Sequence, residues 1–346
     1  MQCFTRFPRP SRKISINAAG AFLVAMALSG CCLWSAPEAE AAPKDAVAAA
    51  PVSAPAAPAK TQKLEKVMTI GDKEFSALNY VCLDSKGNVY GGGADKVAMF
   101  SPGGKKIAEW TKIPFDVLAL GIASDGTVYA AGAKHNDKGV PLGASKIMPL
   151  SLKGAEAVKG EAMELPKIVK EPASMKFSGS NLYVGDARSG IHKFVIEGNS
   201  VKLLASTPAK GDERIIATCC GILSFDVDSK GQVVVANLGQ HRVTVLNDKL
   251  DGYASVWGKA GNKPGDFCGC CNPVSVAVAA DGAIVTSEKT IPRLKIYSPD
   301  GAKLIAMSSD TEFGGGCANL IVAVDAQKRI YAIDEESRTI KVFAAK

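Results

Sequence analysis

Phe225-Asp226-Val227-Asp228-Ser229-Lys230-Gly231-Gln232-Val233-Val234-Val235 and Val276-Ala277-Val278-Ala279-Ala280-Asp281-Gly282-Ala283-Ile284-Val285-Thr286 are one pattern written twice, 51 residues apart. Each copy alternates, turns at its glycine and resumes as an apolar run. A third run follows each, Arg242–Leu246 and Arg293–Tyr297, again 51 residues apart. Period-two alternation with Asp and Gly at the turns is the mark of short antiparallel strands.

Comparable cycles begin near Leu78, Val117, Met175, Leu223, Val274 and Leu320. Their turns fall at Lys86-Gly87, Asp125-Gly126, Ser178 to Ser180, Lys230-Gly231, Asp281-Gly282 and Gln327-Lys328. Six cycles of this length, each with room for four strands, predict an all-β, six-bladed β-propeller over residues 63–346. A two-sheet sandwich would not need such repetition. It would also leave Leu64-Glu65-Lys66-Val67-Met68-Thr69-Ile70 unexplained, a run that reads as an N-terminal strand closing the last blade. Closure leaves only short protected edges.

The carboxy-terminal cycles resemble the NHL-repeat family of propellers. The resemblance rests on Gly261-Asn262-Lys263-Pro264-Gly265-Asp266-Phe267, then Pro273, Asp281-Gly282 and Arg293-Leu294, and on Asn237-Leu238-Gly239-Gln240-His241-Arg242-Val243. It is strong over 213–344 and looser over 75–207. It implies the fold more than a function, because that family includes protein-binding and nucleic-acid-binding scaffolds as well as lyases and lactonases.

Three cysteine-bearing stretches recur at one point of the cycle: Thr218-Cys219-Cys220-Gly221, Cys268-Gly269-Cys270-Cys271-Asn272 and Gly315-Gly316-Cys317-Ala318. Each precedes the innermost strand of its blade, so all should gather at one mouth of the channel. Ser76 and Phe115 stand at the matching point of the first two cycles, which makes the cluster one-sided. Three readings stand open. Cys219, Cys220, Cys268, Cys270, Cys271 and Cys317 would pair as three disulfides in an oxidising compartment, each stabilising by about 2–4 kcal/mol. Alternatively Cys220, Cys268, Cys270, Cys271 and Cys317 would hold copper, zinc or an iron–sulfur cluster, since thiolates select soft metals. The third reading is a redox-active dithiol or vicinal disulfide. Adjacent cysteines point apart on extended backbone, so two cross-blade bonds from one dipeptide require the loop to turn; Gly221, Gly269 and Gly314 to Gly316 permit that. Cys82, inside an alternating run, reads as a small buried hydrophobe.

Catalytic residues are not evident. His135, His192 and His241 fall in three different cycles, and His241 reads as a packing or capping group. A calcium lactonase would draw on Asn272 and Asn319 but finds no matching glutamate, and a lyase would need all three histidines to converge. The expectation is therefore a binding or assembly module, with a metal-dependent redox protein and a lyase or lactonase as the alternatives.

The amino terminus carries Arg6, Arg9, Arg12 and Lys13 with no acid, then an apolar stretch over 14–28 ending in Leu28-Ser29-Gly30-Cys31. A basic start, a short apolar run and small residues describe an export signal over 1–30. The stretch is shorter than the roughly 20 residues that span a bilayer. Leu28 to Cys31 resembles a bacterial lipobox, which implies lipidation at Cys31 and removal of Cys3 with the signal. An Ala/Pro-rich tether follows over 31–62, where repeated prolines oppose helix and few large side chains repay ordering. The expected setting is extracytoplasmic, anchored to a membrane (the outer one, facing the periplasm, in a diderm cell), with a protein partner in the envelope. The formal charge of +7 includes four charges in the signal, and the remaining lysines are dispersed among acids. That distribution lacks the footprint of a nucleic-acid binder.

Overall fold

The computed structural model describes residues 61–208, 216–218, 221–313 and 320–346. The expected signal, Cys31 and the tether to residue 60 lie outside them, as do Cys219, Cys220 and Cys317. Among the described residues no helix is long and apolar enough to cross a membrane.

The chain runs as successive antiparallel meanders. The opening strand, β1 (Gln62–Ile70), is followed by a four-stranded sheet of β2 (Tyr80–Leu83), β3 (Val89–Gly93), β4 (Lys96–Phe100) and β5 (Lys106–Trp110). The next sheet comprises β6 (Asp116–Ile122), β7 (Val128–Ala133) and β8 (Lys146–Lys153), with the short β9 (Glu156–Lys159) and β10 (Met163–Glu164) both pairing β8. Two further four-stranded sheets follow. One is β11 (Pro172–Ser178), β12 (Asn181–Asp186), β13 (Gly190–Glu197) and β14 (Ser200–Ser206). The other is β15 (Phe225–Val227), β16 (Val233–Asn237), β17 (Arg242–Leu246) and β18 (Tyr253–Trp257).

The last strands join in one eight-stranded sheet. It contains β19 (Ser275–Val278), β20 (Ile284–Glu288), β21 (Arg293–Tyr297) and β22 (Leu304–Ser308), then β23 (Val322–Val324), β24 (Ile330–Asp334) and β25 (Thr339–Ala345). Its order is β19-β20-β21-β22-β1-β25-β24-β23. β1 pairs antiparallel with β25 over Leu64 to Ile70 and meets β22 in a short parallel register.

The turns expected from sequence mark the junctions of first and second strands. Gly87, Gly126, Gly179, Gly231, Gly282 and Lys328 all take left-handed backbone, φ between 57° and 85°. Beside several of them an aspartate closes the turn: the Asp84, Asp228 and Asp325 carboxylates each accept two backbone N–H groups within the hairpin. Such side-chain-to-backbone bonds are why Asp recurs there.

Apolar residues on the facing sides of neighbouring sheets pack into clusters, the largest running from Ile70 and Phe75 through Val117 and Leu120 to Phe194 and back to Ile333. The first strands β2, β6, β11, β15, β19 and β23 all contribute to the wall of one central cavity of about 320 Å³. The result is an all-β, propeller-like arrangement of meanders around a common cavity.

Candidate functional site: a pinned cysteine loop

Because strands alternate in direction, the loop entering each first strand and the loop joining second to third strand lie at the same end of a meander. The cysteine loop enters β19, and its backbone is fixed before the first sulfur is reached. Phe267 is fully buried and sits against Trp257 and Tyr297, with ring centroids 6.1 Å away in both cases. Its N–H donates to Lys259 O at 2.9 Å. Gly258, at φ 91°, leaves room for that ring: a Cβ there would lie 2.5 Å from it. Two fully buried side chains of β21 then grip the carbonyls ahead of Phe267. Lys295 Nζ donates to Asp266 O at 2.6 Å and Tyr297 OH to Gly265 O at 3.1 Å.

The cysteines are held from both sides. His241, in the second-to-third-strand loop of the preceding meander, approaches Gly269 O through Nε2 at 2.9 Å, which requires the proton on Nε2. Asn272, wholly buried, donates to Lys289 O at 3.0 Å and to Cys268 O, while its Oδ1 accepts Lys289 N–H at 2.8 Å. Cys271 adopts φ 58°, and this left-handed residue brings its side chain round towards that of Cys270. The two sulfurs are 3.0 Å apart. The pointing-apart expected of adjacent cysteines on extended backbone therefore does not hold at this dipeptide. Cys271 is buried against Ile222, Leu238 and Val274, whereas Cys270 is exposed. Cys268 is half-buried and its thiol faces Asn262 Oδ1 at 3.3 Å.

Beneath the loop lies a buried ion network that the sequence reading did not pick out. Glu288 at the end of β20 receives Lys295 Nζ at 2.8 Å and Arg293 Nε at 2.7 Å, and neither Glu288 nor Lys295 is exposed. Burial pulls the Lys295 ammonium below its ordinary range, with Glu288 opposing that shift. The same pair recurs in neighbouring meanders. Asn237 Nδ2 donates to Thr244 Oγ1 at 3.0 Å, and Asp334 receives Lys341 Nζ at 2.6 Å. All three pairs also reach an entering loop: Ala217 N–H donates to Asn237 Oδ1, Lys295 to Asp266 O, and Lys341 to Glu312 O. Aligning the chain at Gly231, Gly282 and Lys328 puts Asn237, Glu288 and Asp334 in one register, and that was the available signal.

The other candidates are dispersed. His135 is buried between Asp116 Oδ2 at 2.7 Å and Glu171 Oε1 at 3.1 Å, bridging two sheets, with Arg188 on the far oxygen of Glu171. His192 is buried between Ser189 and Ser206, and burial lowers its pKa to about 4. The three histidines do not converge. Asn319 lies outside the described residues. Cys82 packs against the largest core cluster but is only half-buried, because its strand is the innermost of its sheet and lines the central cavity. Burial within that enclosed wall pushes its thiol up to about 12, with Lys176 opposing and Asp84 adding to the rise. Also in the cavity wall, Asp226 accepts Val278 N–H at 2.9 Å and pairs with Lys176 at 2.8 Å, tying together three consecutive sheets. Among the described residues no group of three or more His, Cys, Asp or Glu is arranged to hold a metal. Of the five sulfurs expected as ligands, Cys220 and Cys317 are outside that search.

No family model matches the chain, and no curated protein matches it. Among solved structures it is similar to the WD40 repeats of RRP9, with a TM-score of 0.55 at 10% identity over 83% of this chain and 99% of that one. The fold is thus of the β-propeller type.

Proposed function

We propose that this protein is an extracytoplasmic, membrane-tethered propeller of the NHL type that binds an envelope protein through the end bearing its cysteine loops. A propeller-type fold is consistent with a binding or scaffolding module. The observation that carries the reading is the Cys268–Asn272 segment, held by His241 and Asn272 behind the Asp266 carbonyl that Lys295 grips, with Cys270 facing solvent. Rigid presentation of a few reactive groups lowers the ordering cost of binding. The loops at that end also expose Val140, Leu142 and Ile291, apolar side chains suited to a protein contact.

The architecture proposed is six-bladed. The eight-stranded sheet divides at its parallel β22–β1 junction into two four-strand blades, and β1 then closes the last. Lipidation at Cys31 and the 31–62 tether would hold this domain clear of the membrane. The test is a photo-crosslinker incorporated at Ile291, compared with one at Lys230 at the opposite end, in cells of the native host. A specific envelope protein captured from Ile291 and not from Lys230 is expected. Equal capture, or none from Ile291, rejects the binding face. Intact mass of the mature protein checks the anchor: loss of residues 1–30 with acyl mass on Cys31 is expected.

A further inference from the structure

The cysteine loop contains two thiols of contrasting exposure whose sulfurs already approach each other. Cys270 is exposed, whereas Cys271 is buried against Ile222, Leu238 and Val274, and their sulfurs lie 3.0 Å apart. A tetrahedral thiolate site with metal–sulfur bonds of about 2.3 Å keeps its sulfurs about 3.8 Å apart, and a disulfide brings them to about 2.05 Å. The pair lies closer than a metal-site edge, and a bond requires about 1 Å of further approach together with backbone adjustment, because adjacent Cα atoms are about 3.8 Å apart and ordinary disulfides span about 4.4 Å or more. The left-handed backbone at Cys271 and the hydrogen bonds on Gly269, Cys268 and Asn272 hold this approach in place.

We propose that Cys270 and Cys271 form a thiol–disulfide exchange site, with Cys270 the attacking and Cys271 the resolving thiol, acting on an exposed disulfide of a protein. The inference rests on the binding end proposed above and assigns its chemistry. In the first step Cys270 gives its proton to solvent and its sulfur attacks one sulfur of the incoming disulfide. That disulfide breaks, a mixed disulfide forms on Cys270, and the released thiolate takes up a proton. In the second step Cys271 loses its proton and attacks Cys270 Sγ. The mixed disulfide breaks, the partner leaves with its second thiol protonated, and the Cys270–Cys271 disulfide remains. Two thiols are oxidised, one disulfide is reduced, and the proton count is unchanged. Access selects the first nucleophile, because a partner disulfide can reach Cys270 but not Cys271. Cys82, inside the cavity with its thiol pushed up to about 12, serves as an internal unreactive control.

The test uses the mature full-length chain, reduced and freed of reductant, then exposed to oxidised glutathione as the probe disulfide. Peptide mapping by mass spectrometry of the wild type should find Cys270 and Cys271 bonded to each other in one peptide, about 2 Da lighter than the dithiol, with Cys82 unmodified. In Cys271→Ser a glutathione adduct should persist on Cys270, and Cys270→Ser should slow reaction at this loop by about tenfold or more. Cys271→Ala repeats the trapping should the serine alter the thermal melt. A wild-type Cys270 that ends bonded to Cys219, Cys220 or Cys317, or a Cys271 variant with no adduct on Cys270, overturns the proposal. Crosslinking from Ile291 is scored separately. Exchange that fails while the crosslink persists removes the exchange site alone, whereas a lost crosslink with exchange intact removes the partner-binding reading.

Discussion

The meanders that precede the cysteine loops and those that carry them hold their entering loops in different ways. At the sixth residue after the left-handed turn residue, the earlier three have Gly93, Gly132 and Gly185, and the later three have Asn237, Glu288 and Asp334. At the first two of these the backbone just before or at the start of the first strand lies directly against the glycine. A Cβ at Gly93 would be 2.2 Å from Ala77 O, and one at Gly132 1.8 Å from Asp116 O. In the second group a polar side chain occupies that position and, with a partner on the third strand, reaches into the loop. One sheet geometry thus supports two loops of different character. Direct packing seals the loop down, whereas the polar arms bond the longer loops at Ala217, Asp266 and Glu312. The third meander is intermediate: Asp186, one residue beyond Gly185, accepts N–H groups from Lys170, Glu171, Arg188 and Ser189.

The sharpest way to break this comparison is Glu288→Ala. It leaves Lys295 and Arg293 without their carboxylate in a buried site, so a loss of about 3–5 kcal/mol is expected in urea unfolding. A loss below about 1 kcal/mol would mean that the arm does not support the loop.

The pH dependence should separate the two groups next. His192 in the third meander has its folded pKa lowered to about 4, below the ordinary value near 6.5. The unfolded chain then binds the extra proton first. Stability is complete above about pH 6.5 and falls as pH drops towards 4, by up to about 3 kcal/mol. His192→Gln should flatten that window in a pH series of unfolding curves. Asp334, in the later group, is opposed by burial but held below its ordinary value by Lys341 and Ser337. Its contribution should persist through that window and fade only as pH falls through its lowered pKa.

A smaller effect tests the sealed loops. Gly132→Ala should cost about 1–3 kcal/mol, since the carbonyl of Asp116 must move to admit the methyl group. Gly126→Ala, whose Cβ would meet nothing within 4 Å, isolates the cost of left-handed backbone alone. Equal losses at the two sites would deny the close approach. The smallest expected change is Asn237→Ala, about 1–2 kcal/mol, from the Ala217 N–H and Thr244 hydroxyl left without their amide partner.

Strand positions and turns were legible in the chain because each depends on local pattern. Alternation sets which face of a strand is apolar, and glycine or aspartate at a fixed offset sets the turn. The recurrence of Arg242 and Arg293 at the head of their third strands followed from the same arithmetic. The cysteine loop was legible as a location but not as a geometry. Its residues gave no periodic signal, and the backbone conformation at Cys271 depends on what holds Gly269 and Asn272 from elsewhere.

By itself, then, the sequence determined that this chain repeats a strand-turn-strand unit, where those units turn, and that cysteines occupy the entering loops only of the later ones. Only the tertiary structure decided that Cys270 and Cys271 face each other, that Cys82 lines the cavity, and that His241 clasps Gly269 from the preceding meander. It also decided that Glu288 and Lys295, read as ordinary strand residues, form a buried pair beneath the loop. The reason is one of range. Alternation and turn chemistry act between residues a few positions apart. The long-range bonds that fix the loop join residues 17 to 32 positions apart, and their partners meet only after neighbouring sheets have packed.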